Sequence, residues 1–374
     1  MNFIGDNKTP IAKKIANLNW LLISLILVLA FIGFMMLYSA GGASFKPWLI
    51  RQLGFFCLFF PLMIFIAISD IKLCYKLAYV FYTIGILLLI VVEIIGYNAM
   101  GATRWFKVGP IAVQPSEIMK VFVVYALARF FYSINIQEIG GILRPLIALA
   151  LVFTPACLIF LQPDLGTALI LIMAGIAVLF LAGVKMWKFY LAGITALIAI
   201  PIMWFFVLYD YQKQRVLTFL NPDADPLGSG YNIIQSKIAI GSGGIFGKGF
   251  LNGTQGQLDF LPEKQTDFIF TMLAEELGFV GCLLVIGIYF SIILICNNIA
   301  AKTKHQYGRL LVMGVATILF LHIFINIAMV MGLIPVVGAP LPFISYGGTI
   351  SATMMIAFGL VLNVDANKNV DLKV

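Results

Sequence analysis

"FLPEKQTDFIFTMLAEELGFVGCLLVIGIYFSIILIC" runs from Phe260 to Cys296. It opens as a polar loop and continues over 268–296 as an apolar run, longer than the roughly 20 residues a helix needs to cross a bilayer. Asp267 stands where loop and run meet, and Glu275 and Glu276 lie two to three turns further in. At a rise of about 1.5 Å per residue, Glu275 falls about 12 Å below Asp267. The composition carries the same reading across the chain. Of 374 residues, 62% are hydrophobic and only 11% charged, against about 25% charged in soluble domains. A soluble fold of this size cannot hide so much apolar surface, so the chain is an integral membrane protein.

Working outward from 268–296, apolar runs near 18–38, 49–69, 74–95, 112–132, 143–161, 165–183, 187–208, 310–332 and 346–363 complete a set of about ten transmembrane helices. The expected fold is all-α, a single polytopic membrane domain over 1–374. Basic residues mark the cytoplasmic side of a membrane protein. Lys8, Lys13, Lys14, Lys72, Lys76, Arg129, Arg144, Lys185, Lys188, Lys302, Lys304, Arg309, Lys368 and Lys373 fall in connections or ends of one side. The short connections of the other side hold only Lys46, Arg51, Arg104 and Lys107. Both termini are therefore expected in the cytoplasm, with one large extracytoplasmic loop, 209–267, between helices 7 and 8.

The net charge of +8 is spread through these connections without a dense basic tract, which excludes nucleic acid as a partner. Cys57, Cys74, Cys157, Cys282 and Cys296 lie in or beside apolar segments without CxxC spacing, and read as buried free thiols. Lys13 and Lys14 before the first apolar run suggest an uncleaved first span.

A connection as long as 209–267 is rarely mere linker. "YNIIQSKIAI" at 231–240 has apolar residues at helical spacing and is expected to form a short amphipathic helix at the membrane surface, with Lys237 towards lipid headgroups or substrate. "GSGGIFGKGF" at 241–250 lacks the order of a phosphate-binding loop. It serves either as a flexible hinge or for close backbone packing.

Ionisable groups inside a membrane are expensive and call for a reason. Glu117 and Lys120 in "QPSEIMK" share a helix face; they either neutralise each other or serve a site. Asp164 in "QPDLGTAL" caps a helix or serves the same site. Arg104 and Arg215 are cations on the outer side. Asp267 or Thr266 can cap the eighth span, which leaves Glu275 and Glu276 to line or brace a cavity beneath. All these groups fall on the outer side, and no series of acids continues to the inner face, as a carrier would require.

"GATRWFKVGPIAVQPSEIMK", "QPDLGTAL", "FLNPDADPLGSGYNIIQSKIAIGSGGIFGKGF", "FLPEKQTDFIFTMLAEELGF" and "GLIPVVGAPLPFISYGG" together resemble the SEDS family (shape, elongation, division and sporulation), over nearly the whole chain. "GTQGQLDFLPE" at 253–263 is similar to its RodA branch. Gln265 departs from the His that many relatives carry there. The resemblance implies a peptidoglycan glycosyltransferase of the bacterial inner membrane, with its site facing the exterior. It would polymerise lipid II for cell elongation and rod shape by inverting transfer to a sugar 4-hydroxyl. The implied partners are a class B penicillin-binding protein, the elongation machinery and membrane lipid. The alternative is a lipid II flippase without bond chemistry. Asp267 corresponds to the family's essential acid and is expected to be the general base. Glu117 is expected to hold a divalent cation, Mg²⁺ or Mn²⁺. Lys120, Arg215, Arg104, Asp164, Lys237, Glu275 and Glu276 are the expected substrate-binding residues.

Overall fold

The structure, a computed structural model, describes residues 11–99, 102–108, 111–222, 229–258 and 260–372. Lys8, Pro226 and Lys373 lie outside them. After α1 (Ile11–Ala16) come α2 (Trp20–Ala40), α3 (Trp48–Ile68) and α4 (Ile71–Ile95). An antiparallel sheet of β1 (Tyr97–Ala99), β2 (Ala102–Val108) and β3 (Ile111–Val113) follows. Next are α5 (Pro115–Tyr132), α6 (Ile136–Gly140), α7 (Leu143–Leu161), α8 (Leu165–Leu181) and α9 (Met186–Phe206). The long connection contains α10 (Asp210–Leu220), α11 (Ser229–Ser242) and α12 (Thr254–Gln257). Then come α13 (Ile269–Lys302), α14 (Gln306–Val330) and α15 (Gly348–Ala366).

Among the described residues, eight helices are long and apolar enough to cross a membrane. The two other apolar runs also form helices. α8 has only 17 residues, and α5 carries Glu117, Lys120 and Arg129. The run expected from 112 begins at Pro115, because β3 takes 111–113 and pairs with β2. Pro115 then supplies the first turn, where a missing N–H costs nothing. The small sheet was not legible as apolar periodicity, and it is what carries Arg104.

α5, α14 and α15 form the interior and bury most of their residues. α9 buries none. Apolar residues facing outward on α3, α4, α9 and α13 suit a lipid solvent. The same solvent explains the cysteines. All five are free, but only Cys74 and Cys296 are buried, while Cys57 and Cys157 are exposed.

α11 forms where the amphipathic pattern predicted a helix, but it is docked on the bundle. Ile233, Ser236 and Ala239 are buried, and Ser236 Oγ bonds Thr271 Oγ1 and the Val330 carbonyl at 2.7 Å each. The glycine-rich stretch after it packs closely. α13 is broken at Gly278 (φ 67°), and 244–249 lies against the break. Lys248 and Gly249 N–H donate to the Glu275 and Glu276 carbonyls, and Phe279 and Val280 N–H donate to the Gly244 and Ile245 carbonyls, at 3.0–3.1 Å. A Cβ on Gly247 would stand 2.1 Å from the Glu276 carbonyl oxygen. The hinge reading of these glycines therefore yields to the packing reading.

Candidate functional site

The start of α8, Arg104 of β2, α10, α14 and the segment 334–337 surround one cavity of about 560 Å³, and three of the expected residues converge on it. Arg104, Asp164, Gln212 and Arg215 form its polar part, with Leu169, Met173, Leu208, Phe320, Phe324 and Ile334 among its apolar walls. Asp164 does cap α8, accepting from Thr167 N–H at 3.3 Å. It also accepts from Gln114 Nε2 at 2.9 Å and lies 3.6 Å from Arg104 Nη1. Arg104 Nη2 donates to the Pro163 carbonyl at 3.0 Å. Asp164 thus caps the helix and also pairs with the cavity's arginine.

Asp267 stands against the segment 336–338. Val336 and Val337 line the cavity, and a Cβ on Gly338 (φ 73°) would come within 3.3 Å of Asp267 Oδ2. Only glycine both tolerates that backbone and leaves the carboxylate room. Asp267 does not cap α13, whose N-cap is Phe268 without a side-chain bond. Its half-buried carboxyl is pushed up to about 6 by burial and by the Glu263 carboxylate, against the pull of Arg215 and Arg104. A value near neutrality is what general-base work needs. Glu263 carries no signal of its own in the sequence of the polar loop. It accepts from Gln265 Nε2 and Thr266 Oγ1 at 3.2 Å each, so Gln265 keeps a donor where relatives have an imidazole.

The loop that ends in Asp267 is held from one side. The carbonyls of Gln265, Thr266 and Asp267 accept in turn from Tyr346 N–H (2.8 Å), Ser345 Oγ (2.7 Å) and Asn326 Nδ2 (3.0 Å). Asn326 Nδ2 also donates to the Ala339 carbonyl at 2.7 Å, and Arg215 Nη1 to that of Val336 at 3.3 Å. The 336–347 segment therefore ties the acid to the cavity wall.

Five of the assignments read from the sequence need correction. Lys120 does not reach the cavity: it is 1% exposed and bonds Glu117 Oε1 at 2.8 Å and His322 Nε2 at 2.7 Å. Glu117 does not fit as a metal ligand: its Oε1 is held by the Lys120 ammonium at 2.8 Å, and a divalent ion at Oε2, which has no hydrogen-bond partner, would sit beside that ammonium. No group of three metal-binding side chains exists among the described residues, and we derive no step through a metal. His322, missed in the sequence, has its Nδ1 3.2 Å from the Pro340 carbonyl. With Nδ1–H donating there, Nε2 is left to accept from Lys120, which makes the ring neutral. Lys237 is exposed on α11, with its stem against Gly332, and lies outside the cavity lining.

Glu275 and Glu276 are fully buried and brace the outer loop rather than lining the cavity. Glu275 Oε1 accepts from Lys248 Nζ (2.7 Å), Thr254 N–H (2.9 Å) and Gln255 N–H (3.1 Å), so it holds the start of α12. Glu276 accepts from Ser39 Oγ on α2 and from Leu251 N–H. Buried carboxylates need such partners, and with their oxygens so engaged these two do not bind substrate.

A family model described as "Cell cycle protein" (FTSW_RODA_SPOVE) matches residues 19–370. The "Peptidoglycan glycosyltransferase MrdB" of Escherichia coli (strain K12) is 41% identical over 366 residues, 97% of each chain. "Stage V sporulation protein E" of Bacillus subtilis (strain 168) is 37% identical, over 92% of this chain and 96% of that one. Among solved structures, a chain of "a peptidoglycan synthase complex" matches with a TM-score of 0.81 and 32% identity, over 95% of this chain and 99% of its own. The Thermus thermophilus "Rod shape determining protein RodA" matches with 0.70 and 27%, over 95% and 98%.

Proposed function

The chain belongs to the FTSW_RODA_SPOVE family and is a peptidoglycan glycosyltransferase of the RodA type, integral to the inner membrane; on that premise we propose how its residues carry out the transfer. The substrate is lipid II, whose pyrophosphate carries negative charge between a sugar and a polyisoprenoid tail. The cavity offers matching surfaces, with Arg104 and Arg215 at one part and aliphatic and aromatic walls at the other. The arginines bind the pyrophosphate and stabilise the charge that builds on it as it leaves. The tail lies along the Phe320 and Phe324 wall. Asp267 takes the proton of the acceptor sugar's 4-hydroxyl as its oxygen attacks the anomeric carbon. The carbon–oxygen bond to pyrophosphate breaks, its electron pair leaves with the pyrophosphate, and the anomeric centre inverts. No second carboxylate is required as acid, since neutralised pyrophosphate leaves unprotonated.

The observation that carries this reading is the placement of a carboxyl titrating near 6 beside a cavity lined by two arginines. In our reading the site faces the exterior, and a class B penicillin-binding protein cross-links the strands it makes. The test is polymerisation of purified lipid II by the purified protein, with and without that partner. Glycan strands that disappear with Asp267→Asn support the reading. Lipid II translocation across vesicles without strand formation would replace it with the flippase alternative.

A further inference from the structure

We infer that Asn326 is a positioning residue for Asp267: it fixes the backbone at the acid and at the cavity wall together, and so sets where the carboxylate points. The inference rests on the assignment of Asp267 as the base.

Three observations carry it. The first is the orientation of the amide. Both atoms that face it, the Asp267 and Ala339 carbonyl oxygens, are acceptors. Only the NH₂ group can satisfy both, so the amide has one orientation here. Asn326 is fully buried, where an unmade bond to either carbonyl is expensive.

The second is what the amide joins. Asp267 begins the approach to α13, and Ala339 follows Val336–Gly338, whose valines line the cavity and whose glycine lies against the acid. No hydrogen bond to the Asp267 carboxylate is formed among the described residues; the backbone on either side of it is held instead. A base must be free to bond its substrate, so its placement has to come from its main chain. Asn326 and Ser345 supply that placement at consecutive carbonyls.

The third is the helix that carries the amide. His322 lies one turn earlier on α14, on the same face, and bonds both Lys120 and the Pro340 carbonyl. α14 therefore joins the buried Glu117–Lys120 pair to the loop of the acid. This gives that pair a role although neither residue lines the cavity: it anchors α14 from the α5 side. The buried ion pair acts on the frame of the site.

Displacing a reacting group by about 1 Å can cost a hundredfold in rate. Asn326→Leu keeps a buried residue of similar bulk and removes both donors. The expected result, for the full chain with its partner and lipid II, is a fall in kcat of about a hundredfold with KM within about threefold, since the cavity lining is intact. A merely structural role would not move the acid limb of the pH profile. A displaced carboxylate changes its distance to Glu263 and Arg215, so that limb should shift by about half a unit or more. Ser345→Ala, at the neighbouring carbonyl, should produce the same pattern more weakly, and it keeps the inference testable if Asn326→Leu does not fold. Asn326→Gln, which keeps the amide, should recover part of kcat. Folded variants with wild-type kcat and an unmoved acid limb, alongside an inactive Asp267→Asn, would overturn the positioning role alone. An active Asp267→Asn would overturn the assignment on which it rests.

Discussion

Asp267→Asn is expected to make the protein more stable and nearly inactive at the same time. The carboxyl titrates near 6 rather than at its ordinary 3.8, so its ionised form is disfavoured by the fold. A displacement of that size corresponds to about 3 kcal/mol at 1.36 kcal/mol per unit. Water reaching the half-buried side chain screens it to on the order of 1 kcal/mol. The sign follows from the raised value. The stability this group contributes is fully present below about 3.8 and is lost as pH rises through about 6. An amide is neutral throughout and loses none of it. The variant should therefore melt above the wild type at pH 7, by about 2 °C for a domain of this order, and the gap should close near pH 4. Polymerisation at pH 7 should fall by at least about a hundredfold. Wild-type rates should decline as pH drops through about 6, about tenfold per unit below it, because only the ionised form accepts a proton. The checks are thermal melts from pH 4 to 8 and initial rates on lipid II. An active variant, or one whose melting gap widens towards acid, would refute the reasoning.

The neighbouring charges give further tests. Glu263→Gln removes a carboxylate that raises the Asp267 value, so the acid limb should move to lower pH; an upward move in the rate profile would contradict the geometry. The metal expectation for Glu117 is tested by titrating Mg²⁺ or Mn²⁺ back into EDTA-treated wild type and Glu117→Gln and reading polymerisation. Because Lys120 already occupies Glu117, the ion concentration giving half-maximal recovery should be the same in Glu117→Gln, and a large increase would make Glu117 a ligand after all. Gly247→Ala places a Cβ 2.1 Å from the Glu276 carbonyl at a φ of 79°, and should lower stability by about 2 kcal/mol or more, read as a reduced melting temperature. An unchanged melt would mean that 244–249 does not dock on α13 as described.

The solvent of this protein was legible in its sequence, and with it most of the fold. A bilayer forces backbone groups to be satisfied within each segment, so long apolar runs become helices at positions that local composition sets. The site's chemistry was legible in part for the same reason: Asp164, Asp267, Arg104 and Arg215 stand out because charge at a membrane boundary is costly. Their convergence was decided by packing, as were the roles of the other charges. Nothing local in "EELGF" says that one glutamate braces α12 while the next ties Ser39 of α2, since those partners lie 21 and 237 positions away in the chain. His322 and Asn326 were hidden because a neutral polar residue in an apolar run leaves little periodic trace; each gains meaning only from the carbonyls facing it. The separation of Lys120 from the cavity is likewise a tertiary fact. Sequence fixes that a cation is present on the helix face, and only the helices around it determine whether it meets substrate or a buried carboxylate.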